Sequence, residues 1–187
     1  MHGFMAHSAV PEAMTRVSEL ESLKMWFAYN ARARKAYLAT LSKLSTEDLN
    51  RNRGASFPSL VDIFTHTLGG LASWVNRMSS LHNAGHSEFD APEPLSLADL
   101  RRFNDTTEQQ VDEFFAHLTL DDLDRPYLVT KAPPWWDEDF EAPVRETLYH
   151  LIEHELQHRG ELNALLWQMD VEPPIADWLF DSLSDRK

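Results

Sequence analysis

Between residues 58 and 81, Leu60, Phe64, Leu68, Leu71, Trp74, Val75 and Met78 recur at intervals of three and four. On an α-helix that spacing gathers them into one apolar stripe, which has to be covered by other elements. Three further segments carry helical periodicity. The first covers about 17–44, with Leu20, Leu23, Phe27, Leu38 and Leu41 among its apolar positions. Another runs from a Ser96 cap, with Asp99 at the matching later position, to about 118. The last covers about 144–169. No segment alternates apolar and polar residues as a half-buried strand does. Four apolar stripes with no sheet to cover them can only cover one another, so the expected fold is all-α, a four-helix bundle.

The connections are punctuated by helix breakers. Ser45-Thr-Glu-Asp48 suits the start of a short extra turn. Residues 83–94, with Gly85, Pro92 and Pro94, form a loop. Residues 119–143 contain Pro126, Pro133, Pro134 and Pro143 together with Trp135 and Trp136. That stretch is too proline-rich for helix and holds at most a short strand pair or a turn. Pro173-Pro174 closes the last helix, and an apolar tail at 175–183 packs across one end of the bundle as a short helical piece. Residues 1–16 read as a poorly ordered leader and 17–187 as a single domain, an ordinary size for one hydrophobic core.

No run of about 18 apolar residues is present, so nothing is expected to span a membrane. The first 14 residues lack a basic stretch followed by a continuous apolar run and do not read as a signal peptide. The absence of cysteine removes disulfides, thiolate ligands and cysteine nucleophiles, and makes the cytoplasm the default compartment. Acidic residues outnumber basic ones 30 to 17, for a net charge of -13. Phosphate contacts need clustered Lys and Arg, so no nucleic-acid partner is expected. The nearest basic cluster, Arg32, Arg34 and Lys35, reads as a solvated helix face.

The chemistry lies in His150-Leu-Ile-Glu-His154-Glu-Leu-Gln-His158-Arg-Gly-Glu161. Taking about 100° per residue from Leu151, His158 falls near about -20° and His154 near about -60°, on the side of Leu162, Leu165 and Leu166. Their i, i+4 spacing sets two imidazoles one turn apart, close enough to share an ion. His66 supplies a third nitrogen from the flank of the second helix's stripe, and Gly69-Gly70 a turn further on lets a neighbour approach closely. Three imidazoles from two facing helices suit a divalent transition metal, zinc or nickel, and leave coordination positions for water or substrate. His150 reads as a partly exposed or outer group, and His2, His7, His82, His86 and His117 as surface.

Glu155 falls inside the apolar arc, where an isolated carboxylate is costly. Two roles are open to it. It is either a structural partner for Arg159 or a tyrosine such as Tyr29, or a catalytic general base whose pKa burial raises. His154-Glu155-Leu-Gln-His158 also spells the zinc-protease helix motif. The extended form of that motif is absent, because Gly160 comes one place early and no histidine follows. Trp135-Trp136 with Phe140 either walls a pocket mouth, caps the bundle end or enters a dimer interface.

Tyr29-Asn30, then Ile63-Phe-Thr-His66 followed by Trp74, then His150-x3-His154-x3-His158-Arg159-Gly160 resemble the motifs of the DinB/YfiT-like family of four-helix metalloproteins. The resemblance covers most of 27–179, and Pro173-Pro174 followed by Asp177-Trp178-Leu179 fits its ending. Position 161 is glutamate where the family commonly has glutamine. The resemblance implies metal ligands at His66, His154 and His158, an up-down-down-up bundle and pairing into homodimers. Related proteins include bacillithiol S-transferases and mycothiol-dependent maleylpyruvate isomerase. It therefore implies a metal-dependent enzyme that hydrolyses a small molecule or transfers a low-molecular-weight thiol to it. The alternative is a non-catalytic metal-binding stress-response protein, with a metalloprotease of the His-Glu-x-x-His type as a minor one. An enzyme needs an open coordination position, whereas a structural site is closed by a fourth protein ligand such as Glu155 or Glu161.

Overall fold

The computed structural model describes residues 17–79, 96–133 and 136–179. The leader 1–16, the 83–94 loop, Trp135 and the tail after residue 179 lie outside the described residues. The chain forms α1 (Glu19–Leu41), a short α2 (Thr46–Asn50), α3 (Leu60–Ser79), α4 (Leu97–His117), the strands β1 (Pro126–Val129) and β2 (Phe140–Pro143), and α5 (Val144–Gln168). The two strands pair antiparallel, Pro126 opposite Pro143 and Val129 opposite Phe140, so the proline-rich connection does hold a short strand pair. No helix among the described residues is long and apolar enough to cross a membrane.

Local chemistry sets the helix ends. Ser96 and Asp99 form a complete capping box, Oγ accepting from the Asp99 amide at 3.2 Å and the Asp99 carboxylate accepting from the Ser96 amide at 3.0 Å. α1 starts after Ser18, whose Oγ accepts from Glu21 N, and stops at Leu41, where Ser42 Oγ turns back onto Ala39 O. That is three residues short of the periodic stretch. α5 ends at Gln168, before the proline pair is reached. Asp170 adopts φ 55°, and Val171 N donates to Leu166 O at 3.0 Å. Of the expected tail, Trp178 stacks on Trp26 at 4.1 Å and so ties the chain end to α1, while Ile175 is exposed.

Side-chain pairs give the direction of each helix. Glu19 meets Arg145, Arg34 meets Glu155 and Tyr37 meets Asn163, so α1 and α5 run parallel. Phe27 meets Phe115 while Arg34 meets Asn104, so α4 runs antiparallel to α1. His66 meets both His158 and His154, and Trp74 meets His150, so α3 runs antiparallel to α5. The bundle is therefore up-down-down-up, with α3 packed on α4 and α5 and α1 on the same two helices.

The core has two apolar halves. One gathers Leu23, Phe27, Leu71, Val75, Met78, Phe115 and Leu148. The other gathers Tyr37, Leu41, Leu60, Ile63, Leu68, Leu100, Leu162 and Leu166. Each such buried side chain contributes about 1.5–3 kcal/mol. Between the halves lies a buried polar level formed by Asn30, Arg34, Thr67, Asn104, Thr107, Glu155 and His158. The expected solvated face at 32–35 needs correction here. Arg32 and Lys35 are exposed, but Arg34 is buried in this level. Residues 27, 30, 34, 38 and 41 share one face of α1, and that face is covered by α4 and α5.

Candidate metal centre

His66 on α3 and His154 and His158 on α5 converge at the height of the polar level. One ring nitrogen from each lies within 4.8 Å of the others. The Nε2 atoms of His66 and His154 stand 3.0 Å apart, and the three ring centroids are 4.6–5.0 Å from one another. His158 is buried, while His66 and His154 are partly exposed. The cluster therefore sits along the α3–α5 seam with a side toward solvent, less enclosed than the helical-wheel reading of α5 implies.

Each ring is held by neighbours. Phe57 stacks on His66 with centroids 4.0 Å apart and meets His158 edge-on at 5.7 Å. Gly70 faces His154 directly, and a Cβ at this position would lie 3.0 Å from His154 Cε1. Gly69 has open space around it, so only the second glycine of the pair makes the close approach expected of both. The Nδ1 of His158 lies 3.2 Å from Glu161 Oε2. That contact engages Nδ1 and leaves Nε2 as the nitrogen of His158 suited to a cation. Glu161 is fixed in turn by Ser56, whose amide and hydroxyl donate to its two oxygens at 2.7 and 2.6 Å.

The connection between α2 and α3 delivers Ser56 and Phe57. Arg53 N donates to Pro58 O, and Gly54 takes φ 67°, a conformation that favours glycine. Neither residue carries a periodic signal, so sequence reasoning missed both. Ser56 acts through Glu161, more than 100 positions away along the chain, and Phe57 touches both His66 and the equally distant His158.

The electrostatics favour neutral rings at His66 and His154. Burial, then the nearby His158 and His66 rings, pushes the His154 pKa down from 6.5 to about 4. Burial and His158 likewise lower that of His66, against an opposing effect of Glu161. Burial alone would raise the Glu161 carboxyl, but the Ser56 and His158 hydrogen bonds overcome it and hold that carboxyl below its ordinary value. Neutral rings keep their lone pairs available for a cation.

This arrangement fits a divalent ion. Two nitrogen donors of one tetrahedral or octahedral ion stand about 3 Å apart, as the paired Nε2 atoms do. Among the described residues, no carboxylate joins the three nitrogens as a fourth donor.

Glu155 is paired, with a different partner from those expected for it. Arg34 Nη1 donates to both of its oxygens at 2.7 Å, and both side chains are buried. Arg34 Nε donates to Asn104 Oδ1 as well, so the ion pair joins α1, α4 and α5. Arg159 instead donates to Asn30 Oδ1 and lies over the Tyr29 ring. His150 and His117 are exposed, as expected.

Comparison with known proteins agrees with this architecture. A DinB-like protein of Bacillus cereus ATCC 10987 superposes with a TM-score of 0.65 at 17% identity, over 84% of this chain and 97% of that one. A second, YjoA of Bacillus subtilis, has a TM-score of 0.58 at 18% identity, over 82% and 98%. No curated protein matches the chain. The model of the DinB family matches residues 18–185, nearly the whole length. With the bundle topology and the histidine positions, this places the chain in the DinB family.

Proposed function

We propose that this protein is a metal-dependent enzyme acting on a small molecule, in which His66, His154 and His158 hold one zinc or nickel ion. The observation that carries the reading is the set of three convergent imidazole nitrogens without a fourth protein donor among the described residues. A three-ligand centre leaves room for a reactant, whereas structural zinc sites use four protein ligands. An ion bound there supplies Lewis acidity and lowers the pKa of a water or thiol. The chain's own residues do the rest. Glu161 and Ser56 orient His158, Gly70 seats His154, and Phe57 shields the His66 side of the site. A protease mechanism through His154-Glu155-Leu-Gln-His158 would need a free glutamate, and Glu155 is engaged by Arg34.

Hydrolysis and transfer of a low-molecular-weight thiol both suit such a centre, and homodimerisation in the cytoplasm belongs to the same reading. The test is a screen of activated esters and electrophiles, with and without low-molecular-weight thiols, on metal-loaded protein. Turnover that chelation abolishes and zinc or nickel restores supports the proposal. Fully loaded protein that turns over none of them overturns it in favour of a non-catalytic site.

A further inference from the structure

The α3–α5 seam continues past the imidazoles as a row of aromatic rings. His150 lies 5.9 Å from His154, and Trp74 meets His150 edge-on at 6.0 Å with the ring planes at 81°. Trp74 then stacks on Trp136 at 5.7 Å, and Phe140 stands beside Trp136 at 6.1 Å. The Trp136 ring is fixed because its Nε1 donates to Thr130 O at 2.7 Å. Phe140 and His150 are exposed, and neither indole is fully buried. Both indoles pack on the apolar half of the core around Leu71 and Val75, and the Arg77 guanidinium lies 5.6 and 5.7 Å from the Trp74 and Trp136 ring centres.

We infer that Trp74 and Trp136, with His150 at the near end, form the substrate wall of the metal centre and take a flat aromatic group. This rests on the proposal that the three imidazoles hold an ion. Gly70 touches His154, and a rise of about 1.5 Å per residue puts Trp74 about 6 Å further along α3. A single aromatic ring attached one or two bonds from the reacting group spans that gap. Rigid indoles provide a broad apolar face and favour offset or edge contacts with another ring, a preference that an aliphatic chain does not satisfy. The net charge of -13 works against a polyanionic substrate, so the ring is expected on a neutral or weakly charged molecule.

The test uses two metal-directed probes that differ by this group, benzohydroxamate and acetohydroxamate, titrated into the metal-loaded full chain by calorimetry. The phenyl probe should bind about tenfold tighter, the scale of one aromatic contact. In Trp74→Leu and Trp136→Leu, which keep an apolar side chain but remove a ring, the ratio should fall toward one while each chain still carries one ion. Equal affinities in the unaltered chain, or a ratio that both variants leave intact, overturns the aromatic wall alone. A chain that takes up no metal overturns the underlying metal reading and this inference with it.

Discussion

At the residue scale, the centre depends on side chains that hold the imidazoles as much as on the imidazoles themselves. Gly70→Ala would place a methyl group against His154 Cε1 at 3.0 Å, so the ring must shift. Metal affinity should drop about tenfold by competition with a chromogenic chelator, with the helical signal unchanged. Glu161→Gln keeps the shape but removes the negative charge beside His158 Nδ1, and should weaken metal by about tenfold to a hundredfold. Unaltered affinity in both variants would remove these residues from the site. The metal-free protein should also lose stability on acidification. The folded His154 pKa lies below its unfolded value, so the unfolded chain binds more protons between about 4 and 6.5. Its contribution is complete above about 6.5 and lost as pH falls toward 4. Partial exposure limits it to about 2–3 kcal/mol. Denaturant midpoints across this window, with and without zinc, measure the effect, and zinc should shift the loss to lower pH.

At the element scale, the buried Arg34–Glu155 pair sets the relation of α1 and α5, with Asn104 tying in α4. Glu155→Gln leaves the buried Arg34 guanidinium with only the Glu108 carboxylate, 4.0 Å away, and should cost about 3 kcal/mol, while the metal stoichiometry stays the same. Arg34→Met with Glu155→Leu removes both charges and should recover most of that loss. Thermal unfolding of the three proteins reads this directly, and an unaltered Tm for the single variant would show the pair to be dispensable. The pair also shows what was legible beforehand. The histidine spacing and the apolar arc of α5 were plain in the sequence, because both are properties of one helix. The identity of the Glu155 partner was not, because it depends on how α1 is rotated against α5. A signal was nevertheless present, since Arg34 falls on the same face as Phe27, Leu38 and Leu41. Ser56 and Phe57 had no such signal, as their connection carries no period.

At the scale of the whole molecule, the up-down-down-up order makes α3 antiparallel to α5, and that brings His66 to the level of His154 and His158. The polar level lies between two apolar halves, so the bundle can bear buried charge and a cation site without giving up its core. Four periodic segments made this architecture readable from the start. Helix ends were less so, because α1 and α5 stop on local turns at Ser42 and Asp170 instead of where periodicity or proline runs out. The most direct test of the central claim is the metal content of the purified full chain after loading with zinc or nickel and removal of excess ion. One ion per chain is predicted, falling to none in His158→Ala and in His66→Ala. Full occupancy in those variants, or no retained ion in the unaltered chain, would contradict it.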